Sequence, residues 1–275
     1  MRPPSAAGKF YPKDPQELAS ELELFFQSQK PDKYFPNAKG IIVPHAGYMF
    51  SGAVAAKTYN AVSGTDKRNI EILGVDHHNK GVIATLKQDW MTPFGAVKVN
   101  LPMLEKIMKG QAIVEDAEAV RHEHSIEVQL PFLQYMFGGF VFVPLQIPRL
   151  SYPEIQDLAR IIADMDTLFI ASSDLIHFGS DYGFVPKECI YGPEDFVKDL
   201  DEKIMSKILE MDPKRFMEYI EDNDLTVCGL MTITLFLEIM KLLGAKKAEI
   251  IDHDTSFSIS HDTSAIVGYG GLVFE

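Results

Sequence analysis

Apolar runs that end in polar, titratable clusters are the feature that most constrains how this chain folds. Gly40-Ile41-Ile42-Val43 leads into Pro44-His45-Ala46-Gly47-Tyr48. Ile70-Glu71-Ile72-Leu73-Gly74-Val75 leads into Asp76-His77-His78-Asn79, and Thr167-Leu168-Phe169-Ile170-Ala171-Ser172 into Ser173-Asp174-Leu175-Ile176-His177. Short, largely apolar runs of this kind predict strands buried on both faces. Residues 51–62, SGAVAAKTYNAV, carry small residues on one side and predict a helix between the first two strands. Strand, helix, strand in that order marks a parallel crossover unit. Ligands of open α/β sheets collect at the carboxyl ends of the strands, where these clusters fall.

The pattern continues along the chain. Residues 14–27 place Leu18, Leu22, Leu24, Phe25 and Phe26 on one side behind Asp14-Pro15, a cap and first turn. Short edge strands are expected at 82–85 and 96–99, a helix at 101–109, and a helix at 125–137 kinked or broken by Pro131. Phe140 to Leu145 predicts another buried strand, 153–164 a helix, and 194–243 helices with a break near Asp222-Asn223-Asp224. Ala248 to Ile251 and Ser264 to Phe274 supply closing strands. No Pro-, Gly- or Ser-rich linker divides the chain. The expectation is therefore an α/β fold, a single domain over residues 1–275, with a central mixed, mainly parallel sheet and helices on both faces.

Imidazole is the commonest transition-metal ligand, and His45, His77 and Asp174 at neighbouring strand ends form a His–carboxylate set of the kind that binds a metal and an exchangeable substrate. Each His taken alone serves equally well as a strand cap or a core hydrogen-bonding group. His77 and His78 are adjacent, so only one faces the pocket, and His78 is expected to point away. Cys228, in Thr226-Val227-Cys228-Gly229, precedes an apolar helical run from Leu230. A helix N-terminus favours the thiolate, so Cys228 is expected to be a low-pKa ligand or nucleophile; a small buried hydrophobe is the plainer alternative. Cys189, in Lys187-Glu188-Cys189-Ile190, lacks any such context and reads as structural.

His122 and His124 are two apart and diverge on a helix, so Arg121-His122-Glu123-His124 is not the HExxH arrangement. Ser125 and Glu127 behind them suit a helix start, while His124 projects from the preceding loop; capping and pocket lining both remain open. His253-Asp254 and His261-Asp262 read as surface pairs. Gly268-Tyr269-Gly270-Gly271 has no following Lys or helix and is no phosphate loop.

Charge narrows the partners. With Lys plus Arg at 26 against 39 Asp plus Glu, the net charge is −13, which repels a phosphate backbone, so no nucleic-acid partner is expected. Residues 1–12 lack a signal-peptide core and no run reaches 18 apolar residues, so no membrane association is expected. Two cysteines are too few for a disulfide scaffold, and a cytoplasmic setting follows.

PHAGYMFSG at 44–52, LGVDHHNKG at 73–81, HEHSIEVQLPF at 122–132, SSDLIHFG at 172–179 and TVCG at 226–229 resemble the Memo family in order and spacing, as does the opening AGKFYP. The match runs over essentially the whole chain and resembles the branch called AmmeMemoRadiSam system protein B. The resemblance implies a fold like that of the class III extradiol ring-cleaving dioxygenases, which are non-haem iron enzymes. It implies metal positions at His45, His77 and Cys228, with Asp174, His177 and His124 as the remaining pocket residues. Two departures stand out: Asp76 replaces a Ser common before the paired His, and Leu230-Met231-Thr232 replaces Arg-His-Pro after CG. Those dioxygenases use a carboxylate as third ligand. A thiolate is softer and suits iron, copper or zinc.

Two functions remain open from sequence. One is a metal-dependent oxidoreductase, dioxygenase-related, acting on an unknown small molecule. The other is a non-catalytic module whose enzyme-like pocket binds a peptide or partner protein; fold kinship does not separate them.

Overall fold

In the computed structural model, which describes residues 1–109, 113–187, 189 and 192–275, the expected buried runs become the middle of one large sheet. Glu188 and Ile190, which flank Cys189, lie outside the described residues. The strands are β1 (Gly40–Val43), β2 (Asn69–Val75), β3 (Ile83–Thr85), β4 (Trp90–Thr92), β5 (Gly95–Val99), β6 (Ile113–Glu115), β7 (Val141–Ile147), β8 (Thr167–Ser172), β9 (His177–Gly179), β10 (Ala248–Thr255) and β11 (Ala265–Phe274). The helices are α1 (Pro15–Ser28), α2 (Tyr48–Ala61), α3 (Leu101–Met108), α4 (Ala117–Val120), α5 (Leu130–Phe137), α6 (Tyr152–Ile162), α7 (Pro193–Leu209), α8 (Pro213–Asp222), α9 (Leu230–Leu242) and α10 (Phe257–Ser260).

The sheet runs β10-β11-β1-β8-β2-β7-β3-β6, with β5 also beside β7, β4 beside β5 and β9 beside β11. Its centre is parallel: β1 pairs with β8, β8 with β2, and β2 with β7. The β10, β11 and β9 flank is antiparallel. β1 and β8 are buried throughout, as their lack of alternation requires. Successive residues of a strand face opposite sides, and β11 shows what covers each. A Cβ on Gly268 would meet Asp201 of α7, whereas one on Gly271 would meet Thr58 of α2 at 1.9 Å. Helices therefore lie on both faces. α9 is apolar nearly all round and packs between the sheet and α6, each buried Leu or Ile contributing about 1.5–3 kcal/mol.

Several boundaries differ from expectation for identifiable reasons. Asp14 caps α1 as expected, accepting from the backbone N–H of Gln16 and Glu17. Pro131 does not kink a long helix: Glu127–Gln129 form a short 3-10 turn and Pro131 sits in the first turn of α5, where a missing N–H costs nothing. Trp90–Thr92 forms a strand too short to leave a period in the sequence. Strand β10 extends to Thr255 and takes in His253 and Asp254. No helix among the described residues is long and apolar enough to cross a membrane.

Candidate metal centre

The carboxyl ends of β1, β2 and β8 lie side by side, so the side chains that follow them converge. His45 follows β1, His77 follows β2 and Asp174 follows β8. Cys228 arrives from the other direction, in the turn between α8 and α9, held against residues 173–177 by a bridge between Ile176 and Val227. Gly229 permits that approach, since a Cβ there would meet Ser173 Oγ at 2.2 Å. His45 and His77 have ring centroids 5.1 Å apart, and His124 lies 5.3 Å from His45 and 4.7 Å from His77.

The hydrogen bonds settle which imidazole nitrogens are free. Ser172 Oγ gives its proton to the Ser125 carbonyl at 2.6 Å and accepts from Gln129 Nε2 at 2.8 Å. Its remaining lone pair can only accept, so His45 Nδ1, 3.2 Å away, is the protonated nitrogen. The Nε2 lone pair of His45 therefore faces Cys228 Sγ at 3.3 Å. His77 donates from Nδ1 to Glu123 Oε1 at 2.9 Å, and His177 donates from Nδ1 to the Leu175 carbonyl at 3.1 Å. All three rings thus keep Nε2 as the free donor atom. A carboxylate behind a histidine is the usual device for fixing the tautomer of a metal ligand.

Donor atoms of His45, His77 and Cys228 all lie within 4.8 Å of one another, and the sets His77, Glu123, His124 and Asp174, His177, Cys228 meet the same limit. Ligands at about 2.0–2.3 Å from one tetrahedral ion sit roughly 3 to 4 Å apart, so the contact of His45 with Cys228 has the right span. The donor chemistry, two imidazoles and one thiol, fits a soft or borderline ion.

Burial sets the protonation states. His45 is 2% exposed, and burial together with neighbouring His77 lowers its pKa to about 3. Burial and neighbouring His45 lower that of His124 to about 3 as well. Burial also opposes charge on His77, but the hydrogen bond and charge of Glu123 prevail and raise it. For Glu123, burial is outweighed by His77 and by the Ser125 N–H, and the carboxyl stays well below its ordinary range. Burial raises Asp174 despite His177 and the His45 N–H that it accepts at 2.8 Å.

Cys228 corrects the sequence-based expectation of a low-pKa thiolate. Burial, and then the charge of Asp174, push this thiol up. The helix begins two residues later, at Leu230 behind Gly229, and burial outweighs its terminus.

These side chains line a cavity of about 630 Å3 with Phe10, Phe50, Tyr182 and Tyr269 among its walls. His124 projects from its loop and stacks on Phe10 at 4.3 Å. His177 meets the edge of Tyr182 at 4.9 Å. His78 and His122 are exposed. Asp76 is structural: it accepts from Gln146 Nε2 and from the Gly81 N–H. Leu230, Met231 and Thr232 line a separate cavity of about 300 Å3 on the other side of Cys228, beside Arg149.

Sequence reasoning missed Glu123, which is fully buried, although its place between His122 and His124 was a signal. Glu127 does open the short 3-10 turn that leads into α5, in line with the expected helix start, but its buried pairing was not foreseen. Glu127 is fully buried, pairs with Arg2, and accepts from the Ser5 and Ala6 N–H groups and the Tyr11 hydroxyl. That knot ties the N-terminal arm to the loop of His124 and so sets Phe10 on the pocket wall. His253, expected at the surface, contacts the fully buried Asp201 at 2.9 Å. His261 and Asp262 are exposed, as expected.

The sequence model of Memo-like proteins matches residues 2–273. A MEMO1 family protein of Methanopyrus kandleri is 35% identical over 294 residues, covering 100% of this chain and 99% of the relative. One of Pyrococcus abyssi is 34% identical with 100% and 99% covered. One of Saccharolobus solfataricus is 36% identical with 98% and 97% covered.

Proposed function

Because the chain belongs to the Memo family, we propose that His45, His77 and Cys228 bind iron or copper, with zinc a third candidate, in a metal-dependent oxidoreductase acting on a small molecule. The observation that carries this reading is the convergence of three donor atoms within 4.8 Å, with the Nε2 lone pair of His45 directed at Cys228. A bound iron or copper ion would supply one-electron exchange and an open position for substrate.

The chain's own residues have separate tasks. Glu123 and Ser172 fix the tautomers of His77 and His45, which keeps both lone pairs on one side. Burial raises the pKa of Asp174 above the ordinary carboxylate value, and His124, lowered to about 3, is neutral. His177 presents Nε2 to the same cavity, and these three side chains orient substrate and move protons. Phe10 stacks on the ring of His124 and Tyr182 meets the edge of His177, contacts that help to orient both imidazoles. Cys189 and Cys228 are both free thiols, which suits a reducing, cytoplasmic setting.

Element analysis of protein purified without added metal, beside His45→Ala and Cys228→Ser, tests the proposal. The parent should carry iron, copper or zinc and both variants should lose most of it. Equal, near-zero metal in all three would overturn it.

A further inference from the structure

On the reading that His45, His77 and Cys228 hold the ion, we propose that Arg2 is a positioning residue for that site. Its guanidinium sets the loop from which the Glu123 carboxylate orients His77. The Arg2 side chain lies in the core, 3% exposed, with its guanidinium carbon 3.9 Å from the centroid of the Trp90 ring. Its backbone is fixed as well: the Arg2 N–H donates to the Asp89 carbonyl at 2.9 Å, and the Arg2 carbonyl accepts from the Met91 N–H at 2.8 Å. A charge buried this deeply is costly unless its donors are used, and they are. Nε donates to the Val120 carbonyl at 3.0 Å and Nη2 to the Glu123 carbonyl at 2.8 Å. Nη1 donates to Glu127 Oε2, and Nη2 also to Ser5 Oγ at 3.1 Å.

The bonds to Val120 and Glu123 bear directly on the metal site. Val120 ends α4 and Glu123 carries the carboxylate behind His77, so one rigid guanidinium spans both ends of the segment between them. Neither carbonyl has another donor among the described residues. From that fixed backbone, Glu123 Oε1 accepts from His77 Nδ1 at 2.9 Å and from the Ser125 N–H at 2.8 Å, while Oε2 accepts from the His77 N–H at 3.2 Å. Arg2 and the ring of His77 are therefore separated by one residue and two hydrogen bonds. The Glu127 contact is a separate branch, which holds Ser5, Ala6 and Tyr11 and so places Phe10 on His124. A Lys at position 2 would keep a charge opposite Glu127, but a single ammonium lacks the planar fork that reaches Val120 and Glu123 together. Metal ligands bind more weakly when the outer contacts that orient them are lost.

The test uses the full chain with Arg2→Lys and, should that variant fail to fold, the uncharged pair Arg2→Met with Glu127→Gln, which keeps an acceptor for Ser5, Ala6 and Tyr11. Zinc affinity, read by competition with a chelator, should fall about three- to tenfold in either, less than the roughly 10- to 100-fold expected on losing Glu123 itself. In a Glu123→Gln background the change at Arg2 should cost almost nothing more, because the link is already broken. In a Ser172→Ala background, which loosens His45 instead, it should cost its full factor. General weakening of the fold would lower affinity in both backgrounds alike. Long-range 1H–15N NMR of metal-free protein in mildly alkaline buffer gives a reading without metal: His77 should hold its proton on Nδ1 in the parent and populate both tautomers in the variants. Parent affinity with the parent tautomer in the variants, or an equal loss in both backgrounds, would overturn the proposal. No zinc binding by the parent, with the tautomer still shifted by Arg2→Lys, would sink only the metal centre.

Discussion

The His77–Glu123 and His253–Asp201 pairs share a 2.9 Å contact and a carboxylate with no solvent exposure, yet only the first opens on the cavity. Glu123 accepts from the His77 ring, the His77 N–H and the Ser125 N–H, and these donors hold its pKa down. Asp201 accepts from His253 and the Ile176 N–H, and burial still pushes it up. In the first pair the free nitrogen of the ring joins His45 and Cys228. The second pair lies behind the 174–177 turn and pins Ile176 between Asp174 and His177. An imidazole with a buried acid is thus a support in either place, and it becomes part of a site only where other donors converge on the nitrogen left over.

The largest expected effect separates the pairs outright. His45→Ala and Cys228→Ser remove ligands and should lower metal affinity by more than the roughly 100-fold that bounds loss of an outer partner. His253→Ala should leave affinity unchanged in the same competition titration with a chelator. Equal losses in all three would erase the distinction between the pairs. Next in size, Glu123→Gln should weaken metal binding about 10- to 100-fold by loosening the His77 tautomer, and Asp201→Asn should not. A normal affinity for Glu123→Gln would leave the tautomer argument without support.

How much of this was legible in the sequence follows from the range of the forces involved. The ends of β1, β2 and β8 were readable because each apolar run stops abruptly at a His or Asp, a local signal. Glu123 was not, because its role depends on a loop meeting β2 across 46 residues of sequence. His253 was misplaced for the same reason: its partner Asp201 is 52 residues away on α7. The resemblance of TVCG to the Memo pattern identified Cys228 as a pocket residue, but helix-terminus reasoning gave the wrong thiol state, since burial cannot be read from four residues.

A third expected effect concerns that thiol. In metal-free protein Cys228 should react with iodoacetamide at least about tenfold more slowly near neutral pH than it does after unfolding in urea, because each unit of raised pKa removes about tenfold of the thiolate. Rapid labelling in the folded state would show that burial does not govern Cys228.

The smallest expected effect is on stability against pH. The folded pKa of His77 lies above its ordinary 6.5, so its pairing with Glu123 stabilises fully below 6.5 and fades as pH rises through the folded value. Glu123, held below its ordinary 4.5, contributes above 4.5 and loses that contribution as pH falls through its folded value. Urea denaturation of metal-free protein should therefore show His77→Ala costing more at pH 6 than at pH 8.5. A cost that grows with pH would reverse the assigned direction.

The central claim, that three strand-end and turn residues share one ion, is tested most directly by a crystal structure of metal-loaded protein with anomalous scattering at the absorption edge of the metal. The predicted result is one peak about 2.0–2.3 Å from His45 Nε2, His77 Nε2 and Cys228 Sγ, with Glu123 still on His77 Nδ1. A peak held elsewhere, or no peak in protein whose metal content is stoichiometric, would contradict it.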